Sequence, residues 1–169
     1  KLSHILGVEL IMKDEASSAF ALGGNKIRSV EYLLGDAADW DTLILAGGCH
    51  SNFIRAATAA AQHLDKKVQC AFYGSEPTAS HGNFHLIQLT EAAYRFSGSD
   101  ERDSAETLAE DMKRTAEAAG QRVKLVPRGG ALPESVFAFY KLQDELEKQT
   151  GSAWLDHLVV PVGTGTTLA

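Results

Sequence analysis

Cysteine is scarce in this chain: Cys49 and Cys70 are the only two. Two thiols are too few for a disulfide framework and, this far apart, cannot form a C-x-x-C site. A reducing cytoplasm is therefore the expected setting. Clustered positive charge is also missing. Net charge is -6 and no Lys/Arg cluster exceeds two or three residues, which argues against nucleic acid or an anionic membrane as the main partner. No apolar run approaches the roughly 20 residues of a membrane-crossing helix, and no signal-peptide pattern opens the sequence. Internal repeats and low-complexity linkers are absent as well. The first residue is Lys rather than Met, and Thr166-Thr167-Leu168-Ala169 reads as a loop opening into a helix. Both ends lead us to expect a longer polypeptide.

What is present is an ordinary globular composition: 169 residues, 44% hydrophobic and 22% charged, enough for one domain or two small lobes. Strand and helix patterns alternate. A short strand is expected over Val8–Lys13, then a loop from Asp14 to Asn25 and a helix from Lys26 to about Gly35. Thr42–Ala46 is a continuous apolar run between turn residues, the pattern of a strand buried on both faces of a parallel sheet. Ser51 or Asn52 caps an alanine-rich helix to about Leu64, with Ile54, Ala57, Thr58, Ala61 and Leu64 on one face. Further strands are expected at Lys67–Tyr73, Tyr94–Phe96, Arg122–Val126 and His157–Val162. Further helices are expected at Asn83–Ala92, Asp100–Ala119 and Pro133–Gln149, the second closed by Gly120 and the third opened by its proline. Trp40 and Trp154 flank strands and read as packing residues. Short connections between alternating elements predict an open α/β fold with mainly parallel sheets and helices on both faces. Ligands of such folds sit beyond the C-terminal strand ends, where strand-to-helix loops gather.

Three loops carry chemistry. In Gly23-Gly24-Asn25-Lys26-Ile27-Arg28 two glycines permit a sharp turn close to a ligand, and Lys26 falls at the first turn of a helix. The positive helix end and partial desolvation both lower a lysine's pKa and make its amine a better nucleophile toward a carbonyl. Alone, the same pattern also suits a solvated surface lysine. The second loop, Gly47-Gly48-Cys49-His50-Ser51-Asn52, offers free backbone N–H groups, a hydroxyl and an amide; one of Ser51 and Asn52 can cap the helix while the other faces a ligand. The third, Gly163-Thr164-Gly165-Thr166-Thr167, has the glycines and small hydroxyls of a phosphate cradle, or of an ordinary turn. It lacks the P-loop lysine and the dinucleotide GxGxxG spacing. A nucleophilic lysine, a hydroxyl–amide pair and a phosphate cradle together are what an aldehyde cofactor with a phosphate handle requires. Pyridoxal 5'-phosphate is that cofactor, and its ring is an electron sink for a carbanion at a substrate's α-carbon.

These three loops, in this order, resemble the D-cysteine desulfhydrase and 1-aminocyclopropane-1-carboxylate deaminase family, pyridoxal-phosphate enzymes of the tryptophan synthase β-like fold (fold type II). Glu31-Tyr32-Leu33, Gly82-Asn83 and Pro127-x-Gly129-Gly130 add smaller matches, and the likeness spans essentially the whole chain. The resemblance implies two lobes: residues 1–34 in a large lobe, 35–131 forming a small α/β lobe, and 132–169 returning to an incomplete large lobe. It implies that Lys26 carries the cofactor covalently and then moves protons. Asn52 would bond the cofactor's ring oxygen, and Gly163, Thr164, Gly165, Thr166 and Thr167 would hold its phosphate. Ser51 would act near the substrate and its carboxylate, with Asn52, His50 and Asn25 as further substrate contacts. The implied reaction is elimination at Cβ, or opening of a cyclopropane ring, to give a 2-oxo acid and ammonia, with sulfide if the substrate is D-cysteine. A homodimer is implied too. The family's tyrosine near the substrate and its partner for the pyridine nitrogen would come from beyond Ala169.

The sequence departs from the family at one place. Members commonly carry Gln-Ser-Asn-His where this chain has His50-Ser51-Asn52-Phe53. His50 then supplies a second acid/base group or replaces an amide contact. Other readings are a binding module that keeps the cofactor fold without turnover, and a β-lyase or dehydratase with another leaving group. A Cys49 or Ser51 nucleophile with His50 as base is disfavoured, because adjacent residues rarely point the same way. His81 and His85, four apart, lack a third zinc ligand at a recognised spacing, so no metal is expected.

Overall fold

The apolar run after Asp41 forms β1 (Thr42–Gly47), and all six of its residues are buried. In the computed structural model, which describes residues 1–151 and 155–168, β1 is an inner strand of the sheet. It pairs in parallel with β2 (Lys67–Phe72) on one edge and β4 (Val123–Val126) on the other; β3 (Ala93–Phe96) extends β2, giving the order β3-β2-β1-β4. Two faces and two edges are thus all covered, which is why the run has no polar alternation.

The helices are α1 (Leu2–Leu6), α2 (Lys26–Leu33), α3 (Asn52–His63), α4 (Gly82–Gln88), α5 (Ser104–Ala118) and α6 (Pro133–Thr150). From β1 the chain steps through α3 to β2 and through α4 to β3, moving one way across the sheet. It then returns through α5 to β4, beyond β1. Right-handed crossovers run in opposite directions lay their helices on opposite faces. Accordingly Leu43 and Leu45 pack in one cluster with Phe53, Ile54, Ala57, Phe84 and Ile87, while Ile44 and Ala46 pack in another with Ala105, Ala109 and Met112. The first cluster holds most of the large side chains. Each buried Leu, Ile or Phe contributes about 1.5–3 kcal/mol relative to exposure, so that face carries most of the hydrophobic stabilisation. Trp40 is buried in it, whereas Trp154 lies outside the described residues.

Two helices are shorter than their sequence patterns. α4 stops at Gln88 instead of Ala92, and Glu91 turns with φ 57°. α5 starts at Ser104 instead of Asp100, because serine hydroxyls organise the preceding residues: Glu101 N–H donates to Ser99 Oγ (3.2 Å) and Ser104 Oγ donates to Glu101 O (2.6 Å). Two expected strands do not form. Val8–Lys13 and His157–Val162 join no ladder among the described residues. Most of their apolar side chains are exposed, Met12 to 85% and Val159 to 90%. Strand propensity is expressed only where a neighbour pairs, and among the described residues no ladder partner is found for either run. At the last described residues a turn is closed by Leu168 N–H donating to Gly165 O (2.8 Å).

The loop after β4 is packed without slack. Gly130 is buried with φ 70°, and a Cβ there would lie 2.6 Å from the Phe53 ring and 3.0 Å from Leu33. Gly130→Ala adds overpacking to a left-handed backbone, and the expected loss is roughly 3 kcal/mol in urea unfolding. A loss under about 0.5 kcal/mol would contradict this packing.

Candidate active site

The carboxyl ends of β1 and β4 lie side by side where the strand order reverses. Crevices at such reversals bind ligands in open α/β sheets. The loop 48–51 leaves β1 there, and the loop 127–132 leaves β4. Gly129 faces Thr164 so closely that a Cβ would lie 2.5 Å from its methyl carbon, which brings the Gly163–Thr167 stretch to the same end.

Lys26 begins α2, half-buried, as the spacing predicts. Burial holds its amine below the usual lysine range. Among the described residues no carboxylate pairs with it, so nothing offsets the desolvation. The backbone before it is strained: Ala21 (φ 45°), Leu22 (φ 62°), Gly23 (φ 68°) and Gly24 (φ 98°) are all left-handed. The two non-glycine residues each cost about 1–2 kcal/mol. Gly23 is obligatory, since a Cβ would lie 2.8 Å from the carbonyl oxygens of Ala16 and Ser18. Three hydrogen bonds hold the turn. Gly23 N–H donates to Phe20 O (2.8 Å), Gly24 N–H to Glu15 O (2.9 Å), and Arg55 Nη2 on α3 donates to Gly23 O (3.2 Å). Arg55 is 8% exposed, and its Nη1 has no partner among the described residues.

Arg28 locks the same loop from the side. Its Nε and Nη2 donate to Glu15 (2.6 and 2.9 Å), and its Nη1 and Nη2 donate to Glu145 on α6 (2.7 and 2.8 Å). Lys13 Nζ adds a bond to Glu145 (2.8 Å). One guanidinium thus joins the segment before the lysine, the lysine helix and α6 through two-pronged contacts, the strong geometry for such pairs. In the sequence Arg28 carries no visible role, and Arg55 and Glu145 carry no local signature. Their partners are 117 residues away in the one case and a backbone carbonyl in the other, which no local spacing reveals.

The loops meet directly at Asn25, whose Nδ2 donates to Thr167 Oγ1 (3.0 Å). Thr166 is buried and its Oγ1 lies 3.1 Å from that of Thr164. Among the described residues the backbone N–H groups of Gly163 to Thr167 donate to no backbone carbonyl. Free amide donors and small hydroxyls beside a partnerless amine fit the cofactor's phosphate and aldehyde.

In the second loop Ser51 is the cap: Ile54 N–H donates to its Oγ (3.2 Å). Asn52 is the first helical residue and is exposed; Asn83 Nδ2 donates to its Oδ1 (2.9 Å) and to His50 O (2.8 Å). His50 packs against His81 at 4.9 Å between ring centroids, the rings tilted by 38°, and among the described residues its ring makes no hydrogen bond to Ser51. The Cys49 thiol is pushed up by burial. A serine or cysteine nucleophile activated by His50 finds no support in these contacts.

The Arg28 and Lys13 cations hold the Glu145 carboxyl down to about 2, well below its ordinary value of 4.5. A depressed folded-state pKa gives stability that is present above the ordinary pKa and lost as pH falls toward the folded one. Unfolding followed from pH 5 to about 2 is expected to show less acid loss in Glu145→Gln than in the parent. Equal acid slopes would contradict the clamp.

A family model described as pyridoxal-phosphate dependent enzyme matches residues 1–169. A D-cysteine desulfhydrase of Klebsiella pneumoniae is 30% identical and covers 100% of this chain and 53% of its own length. The mitochondrial bifunctional D-cysteine desulfhydrase/1-aminocyclopropane-1-carboxylate deaminase of Arabidopsis thaliana is 28% identical, over 96% of this chain and 44% of its own. The crystal structure of an ACC deaminase homologue superposes with a TM-score of 0.89 at 27% identity, over 99% of this chain and 51% of that one. The chain spans about half the length of the curated relatives it matches. The α/β architecture is that of the fold-type II enzymes, and the chain belongs to the pyridoxal-phosphate dependent enzyme family.

Proposed function

We propose that this chain supplies the cofactor-anchoring part of a lyase or deaminase acting on a small amino acid, of the D-cysteine or 1-aminocyclopropane-1-carboxylate type. The observation that carries the reading is Lys26: a half-buried amine, without an ionic partner among the described residues, in a loop bonded to Thr167. When bound, pyridoxal phosphate supplies an electron sink for negative charge developing at the substrate's α-carbon. The chain's residues do the rest. Lys26 Nζ would hold the cofactor's aldehyde carbon and would then move a proton at the substrate's α-carbon, a task that burial favours by holding its amine below the usual lysine range. Gly163 to Thr167 hold the phosphate with backbone N–H groups and hydroxyls. Asn52 would donate to the ring oxygen, and the N–H groups of Gly48, Cys49 and His50, which meet no backbone carbonyl among the described residues, would receive the substrate carboxylate. Ser51, Asn25 and His50 stand around the substrate, Ser51 orienting the loop through its cap.

The lobe division at residues 34 and 131 is part of this reading. It is supported by α6 packing on α2 while the whole sheet falls between residues 42 and 126. A homodimer belongs to it too, with the exposed Phe137 and Tyr140 of α6 as apolar surface for a second copy. No helix of the described residues is long and apolar enough to cross a membrane. Cytoplasmic location is proposed from the free thiols of Cys49 and Cys70.

Mixing the chain with pyridoxal phosphate is expected to give a visible absorbance band that borohydride removes and Lys26→Ala abolishes. A band that survives in Lys26→Ala refutes the assignment. Incubation with D-cysteine, 1-aminocyclopropane-1-carboxylate and L-serine, assayed for sulfide, 2-oxo acid and ammonia, separates the leaving groups; no product from any of them counts against turnover by this chain. Arg55→Met removes a buried cation and the bond to Gly23 O. Replacing such a charge with an apolar side chain is often neutral or stabilising. The expected result is unchanged or raised thermal stability with cofactor affinity at least fivefold weaker; unchanged affinity would show that Arg55 does not hold the lysine turn.

A further inference from the structure

Asn83 stands where α4 begins, outside every role assigned so far. Both hydrogens of its Nδ2 are committed, one to His50 O (2.8 Å) and one to Asn52 Oδ1 (2.9 Å). The oxygen and nitrogen of an amide are alike in shape, and which one faces a neighbour is decided by the bonds it can make. A backbone carbonyl only accepts. His50 O therefore fixes the nitrogen of Asn83 toward the second loop. The atom of Asn52 facing that same nitrogen must accept as well, so it is Oδ1. The Nδ2 of Asn52 is then turned away from Asn83, with two donor hydrogens and no acceptor among the described residues. Polarity passes in one direction, from a backbone carbonyl through Asn83 to Asn52.

From this relay we infer that Asn83 is a positioning residue that makes Asn52 an obligate donor, so that the group Asn52 meets is an acceptor oxygen carrying negative charge. The inference rests on the reading that Asn52 faces the cofactor's ring oxygen, which is such an acceptor. An amide free to flip would present its carbonyl to that oxygen part of the time, setting like partial charges against each other. A fixed donor favours the ionised ring oxygen throughout.

Two substitutions separate this role from simple packing. Asn83→Asp keeps the shape and removes both donors. The carboxylate accepts only, so Asn52 rotates to donate toward it and turns Oδ1 outward. Asn83→Ala removes the relay without reversing it, leaving Asn52 free to rotate. A packing role predicts more damage from alanine, a polarity role more from aspartate.

The first measurement uses the chain without cofactor: hydrogen exchange of assigned side-chain amides by NMR. In the parent the Asn83 amide is expected to be protected and the Asn52 amide to exchange freely. In Asn83→Asp the Asn52 amide is expected to slow roughly tenfold, about what one amide hydrogen bond of ordinary strength confers. In Asn83→Ala it gains no protection. An Asn52 amide protected in the parent, or unaffected by Asn83→Asp, overturns the inference even if the aspartate variant binds cofactor poorly. The second measurement adds pyridoxal phosphate and follows the visible band with pH. The apparent pKa of the band is expected to rise in the order parent, alanine, aspartate, and an alanine effect larger than the aspartate effect contradicts the relay. Absence of a band in the parent would count against the cofactor reading, while the exchange pattern still decides the role of Asn83.

Discussion

Everything in this molecule is built around β1, a strand covered on two edges and two faces. Its six residues are all buried, so each neighbour is fixed in place by the need to cover it. β2 and β4 must take its two edges, α3 and α5 must lie on opposite faces, and the chain must reverse direction across it. The reversal leaves a crevice at the carboxyl ends of β1 and β4. Loop 48–51 leaves β1 itself, and loop 127–132 leaves β4, which β1 pairs with. The chemistry is placed by a hydrophobic constraint.

Charge then fixes what packing leaves loose. The turn before Lys26 is unfavourable by itself, with two non-glycine residues in left-handed backbone. It persists because its carbonyls and N–H groups have fixed partners and because Arg28 holds Glu15 and Glu145 in one fork. The forked pair is partly exposed, at 20% for both Arg28 and Glu15, so its value lies in geometry more than in net stability. Lys26 differs from its neighbours in this respect. Arg28 and Lys13 are paired, whereas Lys26 is desolvated and left without an anion among the described residues. An amine in that state is suited to bonding a carbonyl carbon.

Local periodicity made β1, α3 and α6 legible in the sequence, because burial on both faces, a capped alanine-rich stripe and a proline at the first turn each leave a local signature. Lys26 and the glycine turn before it were legible for the same reason. The edges of the fold were not. Val8–Lys13 and His157–Val162 have strand composition, yet a strand is a property of a pair, and no ladder reaches them among the described residues. The clamp was invisible too: Arg28 and Glu145 meet across 117 residues, and Asn25 meets Thr167 across 142. The resemblance put Gly163–Thr167 with the lysine, but the direct bond between them is information only the fold contains. Within Ser51-Asn52 the sequence left open which residue caps, and the geometry assigns that task to Ser51.

The central claim is that Lys26, among all the lysines of the chain, is the one chemically set apart. Its most direct test is to reduce the chain with borohydride in the presence of limiting pyridoxal phosphate, digest it, and map the phosphopyridoxyl group by mass spectrometry. The account predicts a single major site at Lys26, at a level well above Lys13, Lys66 or Lys124. Labelling spread across the exposed lysines, or concentrated on any other, would contradict it.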